Sequence, residues 1–126
     1  MKFLVVDDSV TMRRIIINAL QRIGYSDIVE AADGREALTR FDETVGFIIT
    51  DWNMPNMSGV EFARGVRARP EGQTVPIMMV TTRGAREDIV AAVEAGVNNY
   101  ILKPFTPAVL KEKIDRLLTG TGVAAA

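Results

Sequence analysis

The chain contains neither cysteine nor histidine. Without cysteine there is no disulfide framework and no thiolate metal site. Without histidine the commonest general base and the commonest zinc ligand are missing. Any bound metal must then be held by oxygen, which points to magnesium, calcium or manganese. No charge of one sign dominates: 15 basic and 16 acidic residues leave a formal net charge of −1. A nucleic-acid partner, which needs a strongly basic face, is not expected. Long apolar runs are also missing. The opening Met1-Lys2-Phe3-Leu4-Val5-Val6-Asp7 is too short for a signal peptide, and no stretch approaches membrane-spanning length. A reducing, cytoplasmic home without a membrane partner is the expectation.

What is present is apolar content, 48% of 126 residues. That length suits one domain with a core that needs no staples. Short apolar runs alternate with amphipathic stretches. Phe3 to Val6 runs apolar and stops at Asp7-Asp8. Met12, Ile15, Ile16, Ala19, Leu20 and Ile23 then recur at helical steps before Gly24. Ile28 to Ala32 reads as a weaker strand. Asp33 with Glu36 reads as a capping box opening a second helix through Ala37, Leu38 and Phe41. Phe47 to Thr50 is a third strand ending at Asp51. Ser58 and Glu61 cap a helix running through Val66. Val75 to Val80 is a fourth strand ending at Thr81, and Ile89, Val90 and Val93 before Gly96 mark a fourth helix. Tyr100 to Leu102 is a fifth strand ending at Lys103. Thr106-Pro107 opens a fifth helix whose buried stripe is Leu110, Ile114, Leu117 and Leu118.

Five strands alternating with five helices give an α/β fold, a parallel sheet covered on both faces. The domain is expected over residues 1–119, with 120–126 a disordered tail. By analogy with flavodoxin-like sheets, the strand order is taken as 2-1-3-4-5, which makes strands one and three neighbours at the switch point. Asp7, Asp8, Asp51, Thr81 and Lys103 then face one crevice at the carboxyl ends of the strands. Taken singly each has an ordinary structural reading: a helix cap, a loop acid, a strand-end hydroxyl, a solvated lysine. Their coincidence at successive strand ends does not. Two unit charges about 4 Å apart repel by roughly 4 kcal/mol at an effective dielectric near 20. A divalent cation, magnesium best, together with the lysine would offset the clustered carboxylates. A carboxylate so placed can take a phosphoryl group, which needs mainly positioning and charge neutralisation.

The runs Phe3-Leu4-Val5-Val6-Asp7-Asp8-Ser9 and Thr11-Met12-Arg13-Arg14 resemble the opening of a response regulator receiver domain. So do Asp51-Trp52-Asn53-Met54-Pro55-Asn56-Met57-Ser58-Gly59, Val80-Thr81 and Lys103-Pro104-Phe105. The resemblance covers about Lys2 to Leu118. The run from Trp52 to Met57 is most similar to chemotaxis regulators of the CheY type. The resemblance implies that Asp51 is the phosphoacceptor and that Asp8, Asp51 and the backbone carbonyl of Asn53 bind magnesium, with Asp7 bound through water. It implies Thr81 and Tyr100 as a switch pair, Lys103 as the site lysine, and a cis Lys103–Pro104 bond. It implies phosphoryl transfer from a phosphohistidine on a sensor histidine kinase, a monomer with no output domain, and a phosphatase as a further partner. The output partner would be a flagellar motor switch protein. It would meet a surface on helix four, strand five and helix five: Arg86, Ile89, Tyr100, Leu102, Phe105, Lys113 and Arg116. Thr82 and Arg83 depart from the chemotaxis pattern of alanine and an acid, which bears on dephosphorylation. Arg13, Arg14, Arg64 and Arg67 are read as solvated helix faces, and Trp52 as packing and a reporter.

Three other readings compete. A magnesium-dependent phosphatase with an aspartate nucleophile would need an acid two residues after Asp51, where Asn53 stands. A flavin carrier on the same fold would need a phosphate-binding loop after strand one, where Asp7-Asp8 would repel the ligand. A receiver in a phosphorelay or other two-component pathway differs from a chemotaxis regulator only in its partners.

Overall fold

The computed structural model describes residues 1–119. The expected tail, 120–126, lies outside them. Among the described residues, β1 (Lys2–Val6), β2 (Ile28–Ala31), β3 (Val45–Thr50), β4 (Ile77–Thr81) and β5 (Asn99–Leu102) form one parallel sheet in the order β2-β1-β3-β4-β5. The helices are α1 (Val10–Ile23), α2 (Gly34–Arg40), α3 (Gly59–Arg67), α4 (Arg86–Glu94) and α5 (Pro107–Thr119). A 3-10 turn at Pro70–Gly72 follows α3. The expected fold class and strand order are both met.

The central strands β1, β3 and β4 are mostly apolar because both faces are covered. On one face Leu4, Val6, Ile48, Ile77 and Met79 pack with Phe62, Ala63 and Val66 of α3 and Ala37 of α2. On the other, Phe3, Val5, Phe47, Ile49, Met78 and Val80 pack with Ile16 and Leu20 of α1 and Leu110 and Ile114 of α5. Successive residues of a strand thus feed opposite cores, which is the period of two in a strand. The start of β4 differs from expectation. Val75 is buried but lies before the strand, which begins at Ile77 after Pro76.

Helix ends follow local chemistry. Ser9, not Asp7 or Asp8, caps α1 by accepting the Met12 N–H. Gly24 closes it at φ 115°, a left-handed conformation that glycine adopts without penalty. Ser58 and Glu61 form the full reciprocal box on α3. At α2 the box is displaced. Asp33 accepts the Glu36 N–H, but the Glu36 carboxylate reaches one residue further back, to the Ala32 N–H at 2.9 Å.

Two arginines read as solvated are not. Arg67 donates to the carbonyls of Gly72, Val75 and Gly96 and to Asn98 Oδ1. It satisfies loop carbonyls beneath α3 that no secondary structure reaches. Arg13 is mostly buried and is taken up below. Arg14 and Arg64 are exposed as expected. The apolar residues that marked α4 differ in placement. Ile89, Val90 and Val93 are exposed at 36%, 47% and 60%, and only Ala92 of this helix is buried.

Candidate functional site

Each acid is delivered by the end of a strand. Asp7 follows β1 and is 1% exposed. Its Oδ1 accepts the Ser9 N–H at 2.8 Å, and its Oδ2 lies 3.1 Å from Lys103 Nζ. Asp51 follows β3, in register beside β1, and its N–H donates to the Val6 carbonyl at 2.9 Å. Its Oδ1 accepts the Trp52 N–H at 2.7 Å, while Oδ2 lies 3.3 Å from Lys103 Nζ. Asp8 is exposed and makes no hydrogen bond or ion pair among the described residues. Carboxylate oxygens of Asp7, Asp8 and Asp51 nonetheless lie within 4.8 Å of one another.

Lys103 is brought in from β5. Its N–H donates to the Thr81 carbonyl at 2.8 Å, and the Lys103–Pro104 bond is cis, as expected. Its ammonium bridges Asp7 and Asp51, one positive charge against three carboxylates. Burial pushes the Asp51 carboxyl above its ordinary range. The Trp52 N–H opposes this, the Asp7 carboxylate adds to it, and Lys103 opposes it again. The cluster therefore holds uncompensated negative charge, with oxygen ligands only and one acid, Asp8, that no side chain pairs among the described residues. This donor set suits a hard divalent cation such as magnesium.

The hydroxyl and aromatic expected beside the acids are placed by one residue. Thr81 is fully buried, and its Oγ1 accepts the Arg83 N–H at 3.2 Å. The Tyr100 hydroxyl donates to the Arg83 carbonyl at 2.6 Å. Burial, with Asp88 next, pushes the Tyr100 phenol up. Asn53 is exposed at the mouth. Its Oδ1 accepts from Arg83 Nε and Nη2 at 3.2 and 3.1 Å. The same guanidinium lies 3.3 Å from Asp88 and 4.7 Å from the centre of the Trp52 ring. Arg83 is therefore a wall of the site. Sequence reasoning singled out its position but not these partners.

The expected partner surface is distributed over α4, β5 and α5. Arg86, Ile89, Leu102 and Arg116 are exposed, and Tyr100, Phe105 and Lys113 are partly so. Arg116 pairs with Glu112 at 2.9 Å. Val90 and Val93 were missed as part of this exposed apolar set. Arg13 was missed at the site itself. Its Nη1 donates to the Asp7 carbonyl, and its Nε lies 3.0 Å from Glu30 Oε1 on β2.

A sequence model of the response regulator receiver domain matches residues 3–115. The chain belongs to this family. A receiver domain is a phosphoacceptor regulator of two-component signalling, and that role comes with the family. A chemotaxis protein CheY homolog from Campylobacter jejuni is 55% identical over 129 residues, covering 100% of this chain and 99% of its own length. Among solved structures, chemotaxis protein CheY4 of Vibrio cholerae matches with a TM-score of 0.86 at 38% identity, over 91% of this receiver and 96% of that chain. The receiver domain of a sensor histidine kinase from Pseudomonas aeruginosa, described with a magnesium ion coordinated in its active-site cleft, matches at 0.82 with 30% identity, over 91% and 94%.

Proposed function

We propose that Asp51 is the phosphoacceptor, that Asp8, Asp51 and the Asn53 carbonyl hold magnesium with Asp7 behind them, and that the receiver serves chemotaxis. The observation that carries this is the Asp51 carboxylate, half-buried among Asp7, Asp8 and Lys103 at the β1/β3 switch point. The donor is a phosphohistidine on a sensor histidine kinase. An Asp51 carboxylate oxygen forms the new O–P bond. The P–N bond breaks, and the imidazole nitrogen leaves with the electron pair. Magnesium, when bound, supplies positive charge to the phosphoryl oxygens. The chain's own residues do the rest. The Trp52 N–H and Lys103 fix the Asp51 carboxylate, and Lys103 offers its ammonium to a phosphoryl oxygen. The Thr81 hydroxyl stands as a donor for another.

The protein acts as a switch and not as an enzyme on a separate substrate. The acid/base that a phosphatase would carry two residues after its nucleophile is here Asn53, whose Oδ1 is held by Arg83. The relatives, chemotaxis proteins by name, support a chemotaxis role; the setting proposed with it is cytoplasmic, and the output partner proposed is a peptide of the flagellar motor switch. No helix among the described residues is long and apolar enough to cross a membrane. A phosphatase would reset the switch.

Treatment with a small acyl phosphate and magnesium is expected to add one phosphate to the wild-type protein, read by mass. Asp51→Asn is expected to add none. A normal adduct on Asp51→Asn would overturn the assignment.

A further inference from the structure

Asp8 has no side-chain partner among the described residues, yet its carboxylate is held close to Asp7 and Asp51. With no side chain to hold it, its placement depends on the main chain that carries it. The amide on one side of it is fixed by the Ser9 N–H bond to Asp7 Oδ1 at 2.8 Å. On the other side stands the carbonyl of Asp7, part of the peptide plane that carries Asp8. That carbonyl lies at the end of β1. Arg13 takes it. The Arg13 side chain is only 14% exposed, and it divides between Asp7 O and the Glu30 carboxylate, 3.0 Å from Nε. Glu30 sits on β2, one residue before Ala31, whose carbonyl accepts the Asp7 N–H at 3.1 Å. The guanidinium is thus anchored to a neighbouring strand and pulls on one peptide plane.

We propose that Arg13 is a positioning residue for Asp8, acting through the Asp7 carbonyl, and that Glu30 holds Arg13 to that task. The inference rests on the reading of Asp8 as a magnesium ligand. The planar guanidinium fork meets the two acceptors from two different nitrogens held in fixed geometry, whereas a lysine would have to meet both from a single nitrogen. Groups that orient metal ligands commonly cost 10–100-fold in metal affinity when removed. Two simpler roles give different outcomes. If Arg13 acted only as a nearby charge, its loss would remove repulsion and tighten magnesium binding. If it only joined α1 to β2, its loss would lower the melting temperature and leave magnesium affinity alone.

The test is a magnesium titration read by Trp52 fluorescence, well below the melting temperature, on wild type, Arg13→Ala and Arg13→Lys, with thermal melts in parallel. Arg13→Ala is expected to weaken magnesium by about tenfold. Arg13→Lys, which keeps the charge and gives up the fork, is expected to weaken it by a smaller factor of several. Should Arg13→Ala fail to fold, Arg13→Lys decides. Affinity in Arg13→Lys within twofold of wild type, or tighter binding in Arg13→Ala, overturns the proposal. A wild-type protein that does not respond to magnesium would instead overturn the metal-site reading beneath it.

Discussion

Burial takes water from the Asp51 carboxylate, and Asp7 adds repulsion that the Trp52 N–H and Lys103 only partly offset. Ionising the proposed phosphoacceptor therefore costs the folded state more than it costs the unfolded chain. The Asp51 carboxyl is pushed up, so the folded state keeps the proton more readily than the unfolded chain does. The sign follows from linkage: such a group costs no stability below its unfolded value, about 3.9, and costs progressively more as pH rises through the folded value. Asp51→Asn removes the charge but keeps an oxygen for the Trp52 N–H, and Lys103 keeps Asp7 at 3.1 Å. In metal-free protein at pH 7, Asp51→Asn is expected to melt a few degrees above wild type. The gap should shrink toward pH 4. A scan of melting temperature against pH for the two proteins checks this. Equal melting temperatures at pH 7 would mean that Lys103 compensates the cluster fully.

Elements carry these residues to the site, and the loop from β3 to α3 does so with least tolerance. Gly59 begins α3, and its N–H donates to the Trp52 carbonyl at 2.8 Å. A Cβ at Gly59 would lie 1.9 Å from the Asp51 carbonyl oxygen, so nothing larger fits without moving the main chain of Asp51, the proposed phosphoacceptor. Gly59→Ala is expected to cost roughly 1–3 kcal/mol of stability, measured by urea unfolding, and to slow phosphorylation. Wild-type stability in this variant would show that the loop yields freely. The Ser58–Glu61 box beside it was legible because both partners lie within one helical turn. Strand ends were legible for a similar reason: apolar runs stop where Asp7, Asp51, Thr81 and Lys103 begin. The arginines were not legible. Arg67 meets carbonyls at Gly72, Val75 and Gly96, and Arg83 meets Asn53. Such partners are set by how loops stack in the fold, and no local pattern announces them. Arg13 lies in the same class, since Glu30 on another strand is what turns it inward.

For the whole molecule, the question is how a change at Asp51 reaches a partner. Arg83 joins the two regions. Its guanidinium lies on Asn53 and Trp52 at the mouth, its N–H donates to Thr81, and its carbonyl holds the Tyr100 hydroxyl. A phosphoryl oxygen that draws the Thr81 hydroxyl would act on the chain segment that holds Tyr100, and α4 follows directly from Arg86. The apolar residues of α4 were read as a stripe marking a core helix, because periodicity does not say which side is covered. In the fold only Ala92 of this helix is fully buried, leaving Ile89, Val90 and Val93 exposed, with Leu102 of β5 also exposed. Exposed apolar residues on neighbouring elements suit the proposed partner surface. Coupling between such sites typically amounts to about 1–3 kcal/mol, or roughly 5–150-fold in affinity. Phosphorylation is therefore expected to change affinity for the proposed output partner, a motor-switch peptide, within that range. Ile89→Asp and Val93→Asp, one turn apart, are expected to weaken binding of the phosphorylated form by about tenfold, near 1.4 kcal/mol. As outward substitutions they should shift stability by no more than about 0.5 kcal/mol. Phosphorylation of Asp51 by a small acyl phosphate should proceed at the wild-type rate in both. Fluorescence anisotropy of a labelled peptide, with and without phosphorylation, separates the outcomes. Undiminished binding in both variants would move the partner surface away from α4.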